Sequence, residues 1–186
     1  DRGYFCFAEP GAANAARNFV TAGSGAGDSL FAWTIRDGEV ILPAWEHQGY
    51  VTNSLITVDG GSLTVNGEFK FDASGSAVGW RAFTNGVNTL SVVNGGTFLA
   101  KGKVSVGLKG NEGKRTSRFL VDGAGSLFEI GSTASAFSGV TAVDIEATNG
   151  GEFRFLPAVT MSFGGDSEST ENRTGFRASG AGSKID

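Results

Sequence analysis

The sequence of 186 residues has few of the side chains that build disulfide frameworks, metal sites and catalytic triads, with one cysteine and one histidine. Because Cys6 is alone, an internal disulfide and the cysteine-based zinc and redox motifs are excluded. His47 has no histidine or cysteine partner and no serine nucleophile motif beside it. We therefore expect neither a cofactor nor a metal site.

Long apolar runs and an excess of positive charge are also lacking. No run approaches the ~18 apolar residues of a membrane helix, so no membrane span is expected in this segment. The formal net charge of −4 leaves no broad basic surface for a phosphate backbone, and nucleic acid is not an expected partner.

Glycine, in contrast, is abundant, with 30 residues against three prolines. A hydrophobic content of 40% argues against disorder. Apolar segments separated by glycine are typical of short strands joined by tight corners, because glycine accepts a positive φ without steric cost.

One glycine-centred unit recurs along the chain at an average spacing of about 30 residues. Its occurrences are DRGYFCF, SGAGDSLFAW, VDGGSLTV, VNGGTFLA, VDGAGSLFEI, TNGGEFRF and ASGAGSKID. Their anchor glycines are Gly3, Gly27, Gly61, Gly96, Gly125, Gly151 and Gly182. Just ahead of them lies a predicted ladder of turn-forming residues, namely Asp1, Ser24, Asp59, Asn94, Asp122, Asn149 and Ser179.

A second corner follows some anchors by six residues, at Gly67, Gly102 and Gly131, and a further strand comes after it. Alternation places Phe153 and Phe155 on one strand face. Strand, corner, strand, corner, strand and loop form one coil of a β-solenoid. A β-sandwich would not repeat the same turn in the same phase. We predict an all-β fold, a right-handed parallel β-helix of about six coils of ~30 residues.

The repeats predict a single β-solenoid domain over residues 1–186, less regular over 1–54 and clear over 55–186. The sequence begins and stops near the same turn, so we expect a segment of a longer repeat protein. An uncapped coil exposes unpaired strand edges, which favours stacking on adjoining repeats or end to end on another copy.

The units VDGGSLTV, VNGGTFLA and VDGAGSLFEI resemble the glycine-rich repeats of bacterial secreted and surface proteins, of the autotransporter passenger type. This resemblance implies an exported, extracellular or cell-surface rod, often an adhesin or a stalk. Partners of such rods would be glycans or other molecules of a host or cell surface.

Parallel β-helices also include polysaccharide lyases and glycoside hydrolases, which need two carboxyl groups about 5–9.5 Å apart. The best aligned pair is Asp59 and Asp122, but Asn94 lies on the coil between them. We interpret these residues as a hydrogen-bonded turn ladder and predict no catalytic residue. The acidic segment 164–171 lacks the pattern of calcium-binding β-rolls and is interpreted as a solvated loop.

Trp45 and Trp80 follow their anchors at nearly the same distance on neighbouring coils. Together with His47, Tyr50 and Arg81 they would form a platform on which sugar rings stack. The alternative is that both indole rings cover the core where the loops fold back.

A basic loop in the fourth coil carries Lys109, Lys114, Arg115 and Arg118. It either contacts an anionic glycan or attracts the acidic segment of the sixth coil across solvent. Insertions in a solenoid map to one face, which is often the binding face.

We predict a non-enzymatic, structural or adhesive segment of an exported bacterial surface protein that displays loops on a rigid rod. The alternatives are a polysaccharide-degrading β-helix and a phage tailspike segment.

Overall fold

The computed structural model describes residues 19–21, 32–47, 53–71, 85–106, 114–131, 134–138, 142–157, 160–164 and 174–186. These ranges contain eighteen β-strands and no α-helix. They accordingly include no helix of the length and apolarity needed to cross a membrane.

The strands form three sheets of six strands each. Sheet A contains β1 (Phe19–Thr21), β4 (Trp45–His47), β7 (Phe69–Phe71), β10 (Val104–Val106), β13 (Ala134–Ser138) and β16 (Thr160–Gly164). Sheet B contains β2 (Ala32–Arg36), β5 (Leu55–Asp59), β8 (Asn85–Val93), β11 (Lys114–Asp122), β14 (Ala142–Thr148) and β17 (Thr174–Ser179). Sheet C contains β3 (Glu39–Leu42), β6 (Ser62–Val65), β9 (Thr97–Ala100), β12 (Leu127–Ile130), β15 (Glu152–Phe155) and β18 (Lys184–Ile185).

The chain visits the three sheets in a fixed cyclic order, A to B to C, and then returns to A. Each strand from β1 to β15 pairs in parallel with the strand three places further along the chain. We call three consecutive strands, one from each sheet, a layer. The all-β prediction is confirmed, and the parallel order is consistent with a β-solenoid.

All three sheets contribute to one hydrophobic core. The strands alternate as predicted, so Phe69 and Phe71 are fully buried while Lys70 between them is partly exposed. Aromatic rings stack along the layers in sheet C. The ring centroids of Phe98 and Phe128 are 4.4 Å apart, and those of Phe128 and Phe153 are 4.5 Å apart. Burial of these apolar faces is the main driving force for stacking one layer on the next.

Each turn from sheet B to sheet C begins with one residue in the left-handed region, a conformation that glycine, asparagine and aspartate adopt at the least cost. These residues are Asp37, Gly60, Asn94, Gly123, Asn149 and Gly180, with φ between 50° and 91°. In the turns 60–61, 94–96 and 149–151, the last residue is a glycine that lies against the layer before it. A Cβ on Gly96 would approach the Val58 carbonyl oxygen to 2.5 Å. The sequence repeats Asn-Gly and Asp-Gly pairs at these corners because the glycine of four such pairs has a positive φ, at Gly60, Gly95, Gly123 and Gly150.

The predicted turn ladder occupies two register positions rather than one. Asp59, Asp122 and Ser179 end their sheet B strands in register, whereas Asn94 and Asn149 lie one residue further along, in the left-handed position. The reason is the length of the turn, which varies from two residues at 60–61 to four at 123–126. Asp1 and Ser24 lie outside the described residues.

Candidate functional site

The long connections of the chain share one corner of the fold, between sheets A and B. The connections from sheet C to sheet A are short and have at most four residues. Those from sheet A to sheet B have seven or more in five of six cases, and they are 22–31, 48–54, 72–84, 107–113, 139–141 and 165–173. We call this edge the A–B corner. It is the candidate functional site, because insertions on a regular scaffold concentrate where binding loops are carried.

Two members of the predicted sugar platform are in the core and not at the surface. Trp45 and His47 are both fully buried, at 0% exposure, in β4 of sheet A. Trp45 stacks on Phe69 with ring centroids 5.0 Å apart and meets Trp33 edge-on at 5.8 Å. This placement corrects the expectation of an exposed platform, since neither ring has a face available to a sugar.

The reason for the error is the phase of the second predicted coil. In the structure Glu39 pairs with Ser62, which aligns Gly38 and not Gly27 with Gly61. Trp45 consequently lies in a sheet A strand, in register with Phe69. The Asp37-Gly38 pair was the sequence signal for this corner, and it has the same composition as the other anchors.

The other platform residues, Tyr50, Trp80 and Arg81, lie outside the described residues, as does Lys109 of the basic loop. By their positions in the chain they belong to connections 48–54, 72–84 and 107–113 of the A–B corner. The basic loop itself is shorter than predicted, because Lys114, Arg115 and Arg118 are part of β11.

Arg118 lies on the outer face of sheet B. Its Nη2 donates to Glu146 Oε2 on the neighbouring layer at 2.6 Å, and the Arg118 side chain is 39% exposed. The predicted attraction between basic and acidic loops involves the acidic segment 164–171, of which only residue 164 is described. In the described part, Arg118 is neutralised by a strand carboxylate.

Polar side chains are buried directly beneath the A–B corner. His47 Nε2 lies 2.9 Å from Ser54 Oγ, and Ser54 Oγ donates to Asn88 Oδ1 at 2.8 Å. The Ser54 backbone N–H also donates to Asn88 Oδ1, at 2.9 Å. Because the Ser54 hydrogen is used for Asn88, the network assigns the proton of neutral His47 to Nε2. The chain of bonds ties the end of β4 to the start of β5 and to β8.

Burial lowers the pKa of His47 to about 4, because the imidazolium form would lose its hydration in the core. Its described neighbours are aromatic or neutral: Phe71 stacks on the imidazole with ring centroids 4.9 Å apart, and Trp45 approaches it at 6.3 Å. His47 is neutral at pH 7 and has a structural role.

The two carboxylates weighed as a catalytic pair are the last residues of sheet B strands, directly before the turns to sheet C. Asp59 accepts from Asn94 Nδ2 at 2.7 Å and from Arg36 Nε at 3.0 Å. These hydrogen bonds lower the pKa of Asp59, and the bond from Asn94 has the largest effect. Asp59 is therefore unsuited to act as a general acid, because these hydrogen bonds stabilise its ionised carboxylate.

Asp122 is also held ionised by side-chain hydrogen bonds. It accepts from Thr148 Oγ1 at 2.6 Å and from Asn149 Nδ2 at 2.7 Å, and these bonds lower its pKa. Asp59 and Asp122 both pair with Val93, so a whole layer separates them. A glycosidase acid requires a raised pKa, and neither residue has the environment for it.

Among the described residues no group of three His, Cys, Asp or Glu side chains is placed to hold a metal ion. The acidic segment 164–171 falls almost entirely outside them.

Comparison of the chain with protein-family models, with curated proteins and with solved structures finds no match. The function is therefore argued from the arrangement of the site.

Proposed function

We propose that the chain is a right-handed parallel β-helix of about six coils and that it serves as a non-enzymatic display scaffold. In this account, it is a structural or adhesive segment of an exported bacterial surface protein. The observation that carries the proposal is the distribution of connection lengths. Long connections attach at the A–B corner, while the other two corners are closed by short turns.

The handedness is supported by a general rule. A strand that crosses to a parallel neighbour in the same sheet does so with a right-handed connection in about 98% of cases. Here each return to the same sheet passes through the other two sheets, so every layer is such a crossover. About six layers at ~4.8 Å each give a rod of roughly 29 Å.

Rigidity is what such a scaffold contributes. Sheets A, B and C share one core, and ion pairs such as Glu46–Lys70 and Glu129–Arg154 connect adjacent layers on the outside. Loops carried on this frame would be held about one layer spacing apart. A repeating ligand such as a glycan chain can then contact several loops at once, which raises avidity without new contacts.

The ligand contact is proposed for side chains that belong to the corner connections. Trp80, with Arg81 and Tyr50, would provide stacking and hydrogen bonding to sugar rings. Lys109, Lys114 and Arg115 would provide attraction for carboxylated or sulfated sugars. Trp45 and His47 are not part of this proposal because they are buried.

The test is binding of the purified chain to an array of neutral and anionic glycans. The expected result is binding that W80A/R81A weakens, with a further loss on anionic glycans in K109A/K114A/R115A. The matched control is K101A/K103A, which removes two exposed lysines from a connection between sheets C and A. Far-UV circular dichroism checks that each variant is folded.

Equal binding by the corner variants and the control would contradict the proposed site. A complete lack of binding across the array would contradict the adhesive role. It would not bear on the scaffold, which is tested by distances between the layers.

A further inference from the structure

Two turns from sheet B to sheet C contain the same triplet, Asn-Gly-Gly. The triplets are Asn94-Gly95-Gly96, after β8, and Asn149-Gly150-Gly151, after β14. An asparagine followed by glycine is especially prone to spontaneous deamidation, because glycine has no side chain to keep its backbone nitrogen away from the asparagine amide. Asn94 and Asn149 are both exposed, so water reaches them. The two triplets are therefore candidate modification sites outside the A–B corner.

Deamidation consumes one water molecule and releases one ammonia molecule. The glycine nitrogen loses its proton to a base in the solvent and attacks Cγ of the asparagine. The Cγ–Nδ2 bond breaks, the leaving nitrogen takes up a proton and departs as ammonia, and a cyclic imide remains. Water then opens the imide at one of its carbonyl carbons and yields aspartate or isoaspartate. The reaction therefore requires the glycine nitrogen to approach Cγ.

In the first triplet, the two reacting groups are held by different neighbouring layers. The Gly95 N–H donates to Ser126 Oγ in the following layer at 3.0 Å, and this hydroxyl donates its own hydrogen to the Asp122 carbonyl oxygen. Asn94 Nδ2 donates to Asp59 Oδ1 in the preceding layer at 2.7 Å. Both hydrogen bonds must break before the Gly95 nitrogen can attack Cγ of Asn94.

The second triplet is held in the same way. The Gly150 N–H donates to Ser183 Oγ in the following layer at 2.9 Å. Asn149 Nδ2 donates to Asp122 Oδ1 in the preceding layer at 2.7 Å. Ser183 Oγ in turn donates to the Ser179 carbonyl oxygen at 2.7 Å. The arrangement thus recurs two layers further along, and in both cases the serine belongs to a four-residue turn.

We propose that Asn94 and Asn149 are deamidation sites at which the serine of the following layer slows the reaction. Deamidation replaces the Nδ2 donor with a carboxylate oxygen beside Asp59 or Asp122, so a hydrogen bond becomes a repulsion between like charges. Isoaspartate also adds a methylene to the backbone at a left-handed position of the turn. Both products weaken the turn. The serines therefore prolong the chemical lifetime of the layers, whatever the A–B corner binds.

The test is peptide mapping by mass spectrometry after the folded chain has been incubated at neutral pH in heavy-oxygen water. The heavy oxygen labels each aspartate or isoaspartate that forms during the incubation. Labelling at residues 94 and 149 should be at least about tenfold slower in the folded chain than in the same chain unfolded in urea, because the hydrogen bonds must break before attack.

S126A and S183A are matched controls for each other. S126A removes the acceptor of the Gly95 N–H and should raise labelling at residue 94 roughly tenfold, with residue 149 unchanged. S183A should raise labelling at residue 149 alone. S126T retains a hydroxyl and should keep labelling at residue 94 slow. Ser183 is only half-buried, so S183A keeps the test available if S126A does not fold.

Asn66 reports a general loosening of the fold. It also precedes a glycine, but the Gly67 N–H donates to the Pro43 carbonyl oxygen at 2.6 Å and not to a serine. Labelling at residue 66 should be the same in the wild-type chain and in each serine variant.

Equal labelling rates in the folded and unfolded chains would overturn the proposal. Serine variants that raise labelling at residues 66, 94 and 149 together would also overturn it, because protection would then come from the fold as a whole. If S126A and S183A changed neither site, the serines would have no protective role, and protection would be assigned to Asp59 and Asp122 instead.

Discussion

At the residue scale, the buried polar side chains beneath the A–B corner give the core its register. His47, Ser54 and Asn88 form a continuous hydrogen-bonded chain among mostly apolar buried residues. If the register of one layer shifted relative to the next, these buried donors and acceptors would lose their partners. Each unpaired group would destabilise the fold by about 1–3 kcal/mol. The network therefore favours one alignment of β4, β5 and β8.

Acid should destabilise the fold through His47. The pKa of its imidazole is about 4 in the folded chain and 6.5 in the unfolded reference, so the unfolded state binds the proton more tightly. The His47 contribution to stability is complete above pH 6.5 and is lost as the pH falls toward 4. The whole loss of stability, complete below pH 4, is about 3 kcal/mol. Urea unfolding at pH 7.0, 5.5 and 4.5 measures how the free energy of unfolding falls.

H47Q provides the control, because glutamine keeps an N–H donor for Ser54 but does not titrate. Asp59 and Asp122 have lowered pKa values, so they also destabilise the fold on acidification, but only as the pH falls through the carboxylate range. H47Q should retain that lower component and lose the dependence between pH 6.5 and 4. An unchanged dependence in H47Q would show that another group is responsible.

Two glycines that look alike in sequence should respond differently to alanine. A Cβ on Gly96 would lie 2.5 Å from the Val58 carbonyl oxygen, a backbone atom that cannot move aside without shifting a layer. G96A should cost about 1–3 kcal/mol. At Gly131 the nearest atom would be Leu156 Cδ1 at 3.4 Å, so G131A should be close to neutral.

Chemical denaturation of G96A and G131A side by side measures this difference. Equal destabilisation by both variants would mean that the layers are not packed as closely at Gly96 as the structure has them.

Sequence analysis at this scale could identify the turn-forming residue types but not their register. Aligning the repeats on glycine combined Asp59 with Asn94, although the structure separates them by one position. The register depends on the length of each turn, which the pattern of residue types does not reveal. Ser54 and Asn88 were not found because single polar residues at inward strand positions carry no periodic signal.

At the element scale, the turns from sheet B to sheet C have more than one construction. In the four-residue turns 123–126 and 180–183, a serine takes the place that glycine has in the shorter turns. Ser126 Oγ donates to the Asp122 carbonyl oxygen at 2.7 Å and accepts from the Gly95 N–H at 3.0 Å. The Ser126 hydroxyl thus stabilises its own turn and links that turn to Gly95 in the preceding layer.

S126A should destabilise the fold by about 1–3 kcal/mol, because it leaves the Gly95 N–H without its acceptor. Ser183 makes the equivalent bonds to Ser179 and Gly150, but it is only half-buried in the last described layer, whereas Ser126 is 1% exposed. S183A should therefore cost less than S126A in thermal denaturation. The reverse order would contradict the role given to burial in this turn.

The strands themselves were well predicted where the repeats are regular. The strands predicted after the corners at Gly67 and Gly102 correspond to β7 and β10. The prediction failed in the second predicted coil, where Gly27 was taken as the anchor in place of Gly38. Strand propensity identifies a segment such as Trp45–His47 but does not say which sheet it joins.

At the scale of the whole molecule, the regular part and the variable part of the chain are separated in space. Parallel pairing and one shared core build the frame, and the long connections attach along the A–B corner. The repeats predicted the frame. They could not predict a ligand, because the connections carry no repeated pattern.

A set of spin-label distances along one column of sheet B tests the stacked parallel fold. Thr34, Thr57, Leu120 and Arg177 share a register, with Arg177 two layers beyond Leu120, four beyond Thr57 and five beyond Thr34. In a C6S background, pairs that include position 177 should give distances that rise by ~4.8 Å per layer, with the pair 34–177 near 24 Å. Distances that do not increase with layer number would contradict the stacked parallel fold on which the proposed function depends.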